Sequence, residues 1–136
     1  MGKSWAEKLN DPRSHQVKPA PVDIAGMKKG ETMLVPTPAQ VDAVIRAIPE
    51  GTAIDVPALR RRLAQQHGAQ VTCPVTTGFH LRTVAEAAWE AHCQGTPMDA
   101  ITPFWRVLDA RAPTTAKLSF GATVIRDRRR SEGLPD

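Results

Sequence analysis

The chain is expected to be mainly α: a winged helix-turn-helix-like three-helix core with a short strand or wing and a C-terminal helix. Three observations predict this. Apolar residues recur at helical spacing in three separate stretches between residues 37 and 93. The first two stretches open at a capping residue and stop at glycine, and the third runs on toward Gly95. A proline-punctuated loop, a short extended run and one more helix then follow, and helix, short helix, long helix, strand is the order of a winged-helix module.

Taken in order, residues 1–36 read as a Pro/Gly-rich N-terminal extension. Ser4 and Glu7 have capping-box spacing ahead of Leu9. Pro12, Pro19, Pro21, Pro36, Gly26 and Gly30 then give a composition that wraps a surface or stays mobile. Met1-Gly2 resembles the start of a myristoylation signal, but Ala6 stands where that signal wants Ser or Thr. Residues 37–133 read as the folded domain and 134–136 as a tail. Thr37 caps the first helix, Pro38 fits its first position, and Gln40 closes a capping box. Val41, Val44, Ile45 and Ile48 form its apolar stripe before Pro49-Glu50-Gly51 stops it. The second helix spans about 56–67, with Asp55 as cap, Leu59 and Leu63 inward, and Arg60, Arg61 and Arg62 around the outside. The third runs from near Thr76 to about His92, with Leu81, Val84, Ala85, Ala88 and Trp89 in helical period. Residues 95–103 read as a loop, 105–108 as a short strand, 109–115 as a turn or wing, and 122–131 as a helix ending at Gly133.

A length of 136 residues with 41% apolar content fits one domain with one modest core. The net charge of +4 permits a polyanionic partner without demanding one. Two cysteines make no disulfide framework, no apolar run approaches a membrane span, and the N-terminus lacks a signal-peptide core. A monomer in the cytoplasm is the expectation, with no membrane partner. Cys73, His80, His92 and Cys93 do not have the spacing of a metal finger, so no metal or cofactor is expected. His15 and His67 carry no signal, and phosphate-binding glycine loops, serine-nucleophile motifs and paired catalytic carboxylates do not appear.

Several short stretches between about residues 34 and 133 point further. They are residues 40–51, Arg82-Thr83-Val84-Ala85-Glu86-Ala87-Ala88, Thr96-Pro97, Pro103-Phe104-Trp105-Arg106-Val107, Phe120-Gly121 and Glu132-Gly133. In this order they resemble the DNA-binding domain of methylated-DNA–protein cysteine methyltransferases, the O6-alkylguanine-DNA alkyltransferase family. In that family the central stretch reads Pro-Cys-His-Arg-Val: the cysteine accepts the alkyl group and the histidine activates it. Here Phe104 and Trp105 hold the two reactive positions. A thiolate displaces carbon from oxygen, and a phenyl ring cannot. Thr96 stands where the family has its hinge asparagine, and the likeness does not extend to the family's N-terminal companion domain. The combination looks like the alkyltransferase-like proteins, which bind alkylated guanine without repairing it. Those keep a histidine beside a tryptophan, so Phe104-Trp105 differs from them too.

The resemblance implies roles residue by residue. Arg82 would enter the base stack in place of a flipped nucleotide, or be an ordinary solvated charge. Thr76 and Thr77 would donate to phosphate, or cap their helix. Arg60, Arg61 and Arg62, and a second cluster at Arg126, Arg128, Arg129 and Arg130, would neutralise phosphates, or simply be solvated faces. Phe104, Trp105, Arg106, Phe120, Gly121 and Glu132 would surround a base pocket, although both aromatic rings at 104 and 105 suit core packing as well. The family's tyrosine falls at about Val56, and Glu132 would have lost the histidine it orients.

The leading expectation is a non-enzymatic protein that binds double-stranded DNA and recognises and flips O6-alkylguanine, with a downstream repair protein as a further partner. Two alternatives stand beside it. One is a cryptic alkyl-acceptor enzyme using Cys73, which precedes Pro74 near a helix start where a thiol's pKa can fall. The other is a winged-helix module for protein contacts with the Pro-rich N-terminus as its docking arm.

Overall fold

Ser4 opens a five-residue helix, α1 (Trp5–Leu9), by accepting the Glu7 amide on its hydroxyl. A helix this short does not hold itself together in water. It is anchored from outside, because the Glu90 carboxylate accepts the amides of Trp5 and Ala6 at 3.3 and 3.2 Å. The computed structural model describes residues 3–136, so the Met1-Gly2 signal lies outside the described residues.

The prolines and glycines that follow build a hairpin. Strands β1 (Gln16–Pro19) and β2 (Thr32–Val35) pair antiparallel, with Gln16 opposite Val35. A tighter turn lies between them, where Ile24 and Met27 exchange both backbone hydrogen bonds across Ala25 and Gly26. These two residues have φ of 50° and 84°, the consecutive left-handed pattern of a type I′ turn. On its other side β2 pairs in parallel with β3 (Val71–Thr72), Met33 opposite Val71. A parallel pair needs a crossover, and two helices supply it.

The first of these, α2 (Pro38–Arg46), carries the expected capping box: Thr37 and Gln40 each accept the other's amide. Its stripe of Val41, Val44 and Ile45, continued by Ile48, is fully buried. The second, α3 (Val56–Gln66), is capped by Asp55, which accepts the Ala58 amide at 2.8 Å, and it buries Leu59, Leu63 and Ala64. The long α4 (Pro74–Cys93) starts two residues earlier than Thr76, since Pro74 sits at its first turn where no amide is needed. Leu81, Val84, Ala85 and Ala88 face inward. The last helix is α5 (Thr123–Ser131).

The expected strand at 105–108 does not form. Phe104–Arg106 is a 3-10 turn, and the amides of Val107 and Leu108 both return to the Phe104 carbonyl. Those backbone groups are used locally and cannot join a ladder. Phe104 and Trp105 are consequently both buried, whereas alternation along a strand would have turned one outward. The stretch read as a wing, 109–115, holds turns that lead into another 3-10 turn at Thr115–Lys117. The protein is mainly helical with a small three-stranded sheet, and that sheet precedes and interrupts the helices instead of following them.

One core joins Leu34 of β2 to Val41, Ile45, Leu59, Leu63, Leu81, Phe104, Trp105 and Ile125. The stretch 1–36 therefore contributes to the main core through Leu34. It also contributes Ala20, Met27 and Met33 to a smaller one under the hairpin. Burying a ring such as Phe104 stabilises by roughly 1.5–3 kcal/mol of transfer free energy, and the larger Trp105 contributes somewhat more. Among the described residues no helix is long and apolar enough to cross a membrane.

Ala25 is the one described non-glycine residue at positive φ. Left-handed backbone costs an ordinary L-residue about 1–2 kcal/mol, and asparagine tolerates it best. Ala25→Asn is expected to raise the thermal midpoint on the order of 2–4 °C. Scanning calorimetry of the two proteins checks this, and an unchanged or lower midpoint would contradict the turn geometry.

Candidate functional site

Of the residues that the sequence placed around a base pocket, Trp105 and Arg106 converge on a third, the carboxylate of Glu132. Glu132, just past α5, has a side chain only 1% exposed. One oxygen accepts Arg106 Nε at 2.9 Å and the Gly51 amide at 3.0 Å. The other accepts Trp105 Nε1 at 2.7 Å and Arg106 Nη2 at 3.0 Å. The remaining Arg106 nitrogen donates to the Ile48 carbonyl at 2.8 Å, at the end of the α2 stripe. Burial pushes this carboxyl up, but the donated hydrogen bonds from Arg106, Gly51 and Trp105 outweigh it. They hold the group at about 2 against an ordinary 4.5. With Trp105 in place of a histidine, Glu132 has no proton-relay partner, but it keeps a donor, the indole N–H. An indole cannot accept a proton in return, so the pair orients but does not relay.

Phe104 is sealed. It is 0% exposed and packs edge-on against Trp105 and tilted against Phe120. Phe120 in turn stacks on Trp89, and Gly121 beside it is an exposed turn glycine at φ 73°. The aromatic wall expected at Phe104 and Phe120 is thus core packing. Trp105 is 1% exposed, yet it borders a cavity of about 240 Å³ with Arg46, Asp99 and Arg128. The Arg128 guanidinium lies 5.0 Å from its ring centre.

The implied DNA contacts separate into those that face out and those that do not. Arg61 and Arg62 on α3 are exposed, while Arg60 is half-buried. Arg82 does not project freely: it is half-buried, with its guanidinium 5.4 Å from the Trp5 ring of α1. Trp5 is itself crossed by the Lys8 ammonium at 4.1 Å. Thr77 is fully buried and donates to the Cys73 carbonyl at 2.7 Å, so it neither caps α4 nor faces solvent. Thr76 is half-buried and bonds the Cys73 sulfur at 3.3 Å. On the outer face of α4 the exposed residues are Val75 and Phe79, at 54% and 66%. In the C-terminal arginine cluster, Arg129 is buried and holds the carbonyls of Trp105 and Pro135. Arg126 and Arg130 stay exposed.

A larger cavity of about 480 Å³ separates residues 11–16 from the start of α2 and from His80. The Arg13 guanidinium hydrogen-bonds to Asp11 on its rim and holds that carboxyl down at about 2. Burial lowers the His80 pKa, and its Nε2 bonds the Pro36 carbonyl at 2.9 Å. His15 meets Gln40 at 2.8 Å and stacks obliquely near His67. Cys73 is half-buried and Cys93 exposed, both as free thiols. Among the described residues no group of three His, Cys, Asp or Glu side chains is placed to hold a metal ion.

Sequence reasoning missed two polar residues and one aromatic that set this geometry. Glu86 is buried and accepts the Ser119 amide, which ties α4 to the approach of α5. Thr102 is buried and donates to Asp42 at 2.6 Å. Trp5 covers Arg82. The legible signal for Trp5 was its i, i+4 pairing with Leu9 on a capped helix; Glu86 and Thr102 left none, since their partners lie far off in the chain. No family model matches the chain, and no curated protein and no solved structure matches it either.

Because the folded pKa of Glu132 is depressed, its contribution to stability is present above about pH 4.5 and lost as pH falls toward 2. Allowing for solvent at the Arg106 edge, that contribution is on the order of 1–2 kcal/mol. Glu132→Gln should be less stable at neutral pH and should lack this acid-side loss. Urea unfolding across the same pH window measures it, and parallel pH profiles for the two proteins would exclude Glu132 as the titrating group.

Proposed function

We propose that this protein is a non-enzymatic binder of double-stranded DNA with an alkyltransferase-like, helix-turn-helix-related architecture, and that it takes up an extruded alkylated guanine. The observation that carries the reading is the Glu132 node. The three positions implied for reactive centre and support, Trp105, Arg106 and Glu132, meet within hydrogen-bonding distance. The acceptor position beside them is a buried phenyl ring. A scaffold of this kind can hold a nucleotide but has no nucleophile there to take its alkyl group.

The order α2, α3, α4 supports a helix-turn-helix relationship, with β3 in the longer-than-usual link between α3 and α4. Affinity comes from the outward arginines of α3, which neutralise phosphates without reading sequence. The extruded base goes to the cavity bordered by Trp105, Arg128 and Asp99, in place of the sealed ring of Phe104. Entry of Arg82 into the base stack requires α1 to lift Trp5 away. An opened base pair costs a few kcal/mol, least at a damaged pair, which gives the lesion its advantage.

Val75 and Phe79 favour a second reading. Two large apolar side chains exposed at i, i+4 on one helix also suit a protein groove. The two readings part on salt and charge. DNA binding predicts that Arg61→Ala weakens affinity for every duplex and lowers the slope of log affinity against log salt by about 1. Fluorescence anisotropy with plain and O6-methylguanine duplexes across salt is the test. Equal affinity for both duplexes removes lesion recognition, and no binding at low salt leaves the protein-contact reading.

A further inference from the structure

Three arginines have a buried Nε with no hydrogen-bond partner among the described residues: Arg60, Arg82 and Arg128. Their surroundings differ. Arg82 lies under the Trp5 ring, and Arg128 borders a cavity that it shares with the carboxylates of Glu50 and Asp99. Arg60 borders a third cavity, of about 320 Å³, between α3 and the Ala25-Gly26 turn. Among the described residues no carboxylate lines that space. The closest acidic residue along α3, Asp55, is committed to its own helix cap.

The donors around this third cavity are uncommitted. Arg60 makes one long contact, Nη2 to the Ala25 carbonyl at 3.4 Å. Arg61 follows it on the same wall and is exposed. Gln70 spends its carbonyl oxygen on the Thr32 amide at 2.8 Å, which leaves its NH2 group as a donor. Two guanidinium groups and an amide NH2 around a space with no counter-charge make an oxyanion receptor, because planar guanidinium forks match the oxygens of a phosphate. A volume near 300 Å³ is the lower limit for a whole small-molecule ligand and ample for one hydrated phosphate group.

We propose that this cavity is a phosphate site, and that its occupant in function is a backbone phosphodiester of duplex DNA, gripped by Arg60 and Arg61 with Gln70 behind them. The assignment rests on the DNA-binding reading above and adds to it a place: the groove between α3 and the hairpin, away from Trp105. A rim arginine such as Arg62 meets phosphate only through solvent-screened attraction. Arg60, with its Nε already out of water, should instead make a geometrically specific contact.

The test uses the full-length protein, a plain DNA duplex and inorganic phosphate, with Arg60→Gln, Arg60→Lys and the control Arg111→Gln, an exposed arginine outside both basic clusters. Anisotropy should show Arg60→Gln weakening duplex binding roughly tenfold or more, with Arg60→Lys recovering only part. Arg111→Gln should stay close to the parent. Phosphate titrated into the protein should shift the amide and side-chain resonances of Arg60 and Gln70, and the Arg60→Gln protein should not respond at the Gln70 resonances. If duplex binding is intact in Arg60→Gln, the site is wrong while the DNA reading stands. If phosphate moves those resonances but no duplex binds, the DNA reading fails and the oxyanion site stands with free phosphate as its ligand. Circular dichroism on each variant separates these results from unfolding, and Arg60→Lys keeps the buried stem if the glutamine variant does not fold.

Discussion

The carboxylate of Glu132 ties together three parts of the chain that lie far apart in sequence. Its two oxygens collect the turn after α2 through Gly51, the 3-10 turn through Trp105 and Arg106, and the end of α5 through its own backbone. Arg106 extends the node to the Ile48 carbonyl, and Arg129 adds the Trp105 carbonyl. Each link is a charge-assisted hydrogen bond in a place with little water, where such bonds are strongest and where losing one partner strands the others. The aromatic packing of Phe104 depends on this, since the turn that buries the ring is fixed on both sides by the node.

The hydrogen bond that Trp105 gives Glu132 is a fixed structural link. A histidine in the place of Trp105 would offer a proton that can leave and return. An indole offers a hydrogen bond that stays put and a larger apolar face to bury. The glutamate needs a donor, and Trp105 meets that need while its ring packs in the core. Under the proposed DNA-binding reading, contact with DNA falls to the basic face of α3 and the cavities beside it.

What was legible in the sequence was local. Thr37 with Gln40, Asp55, and the stripes of α2 and α3 act within one or two turns, and caps and stripes located those helices to within a residue or two. The hairpin was not legible, because all four residues of β1 are exposed and show no alternation, and the partners of β2 lie far away in sequence. The 3-10 turn read as a strand because Trp105-Arg106-Val107-Leu108 is a short, mostly apolar run after a proline, while its hydrogen bonding is set by Pro103 and the Phe104 carbonyl. Around the candidate site Trp105, Arg106 and Glu132 come together, while the surroundings of Phe104 and Arg82 were left open between readings that the local sequence could not decide. Phe104 lies in the core, and Arg82 lies under a tryptophan supplied by a helix seventy-odd residues away in sequence.

The outer strand of the sheet is the part of the fold most at risk from other copies of the chain. β1 pairs with β2 on one side only, and an open row of amides and carbonyls is a template for intermolecular β-association. Pro19 removes one of those amides and Lys18 sets a charge next to it, so a second strand meets a gap and a like charge where it would have to zip. The same proline-rich composition that hid the hairpin from sequence reading thus guards its rim against fibril-like self-pairing.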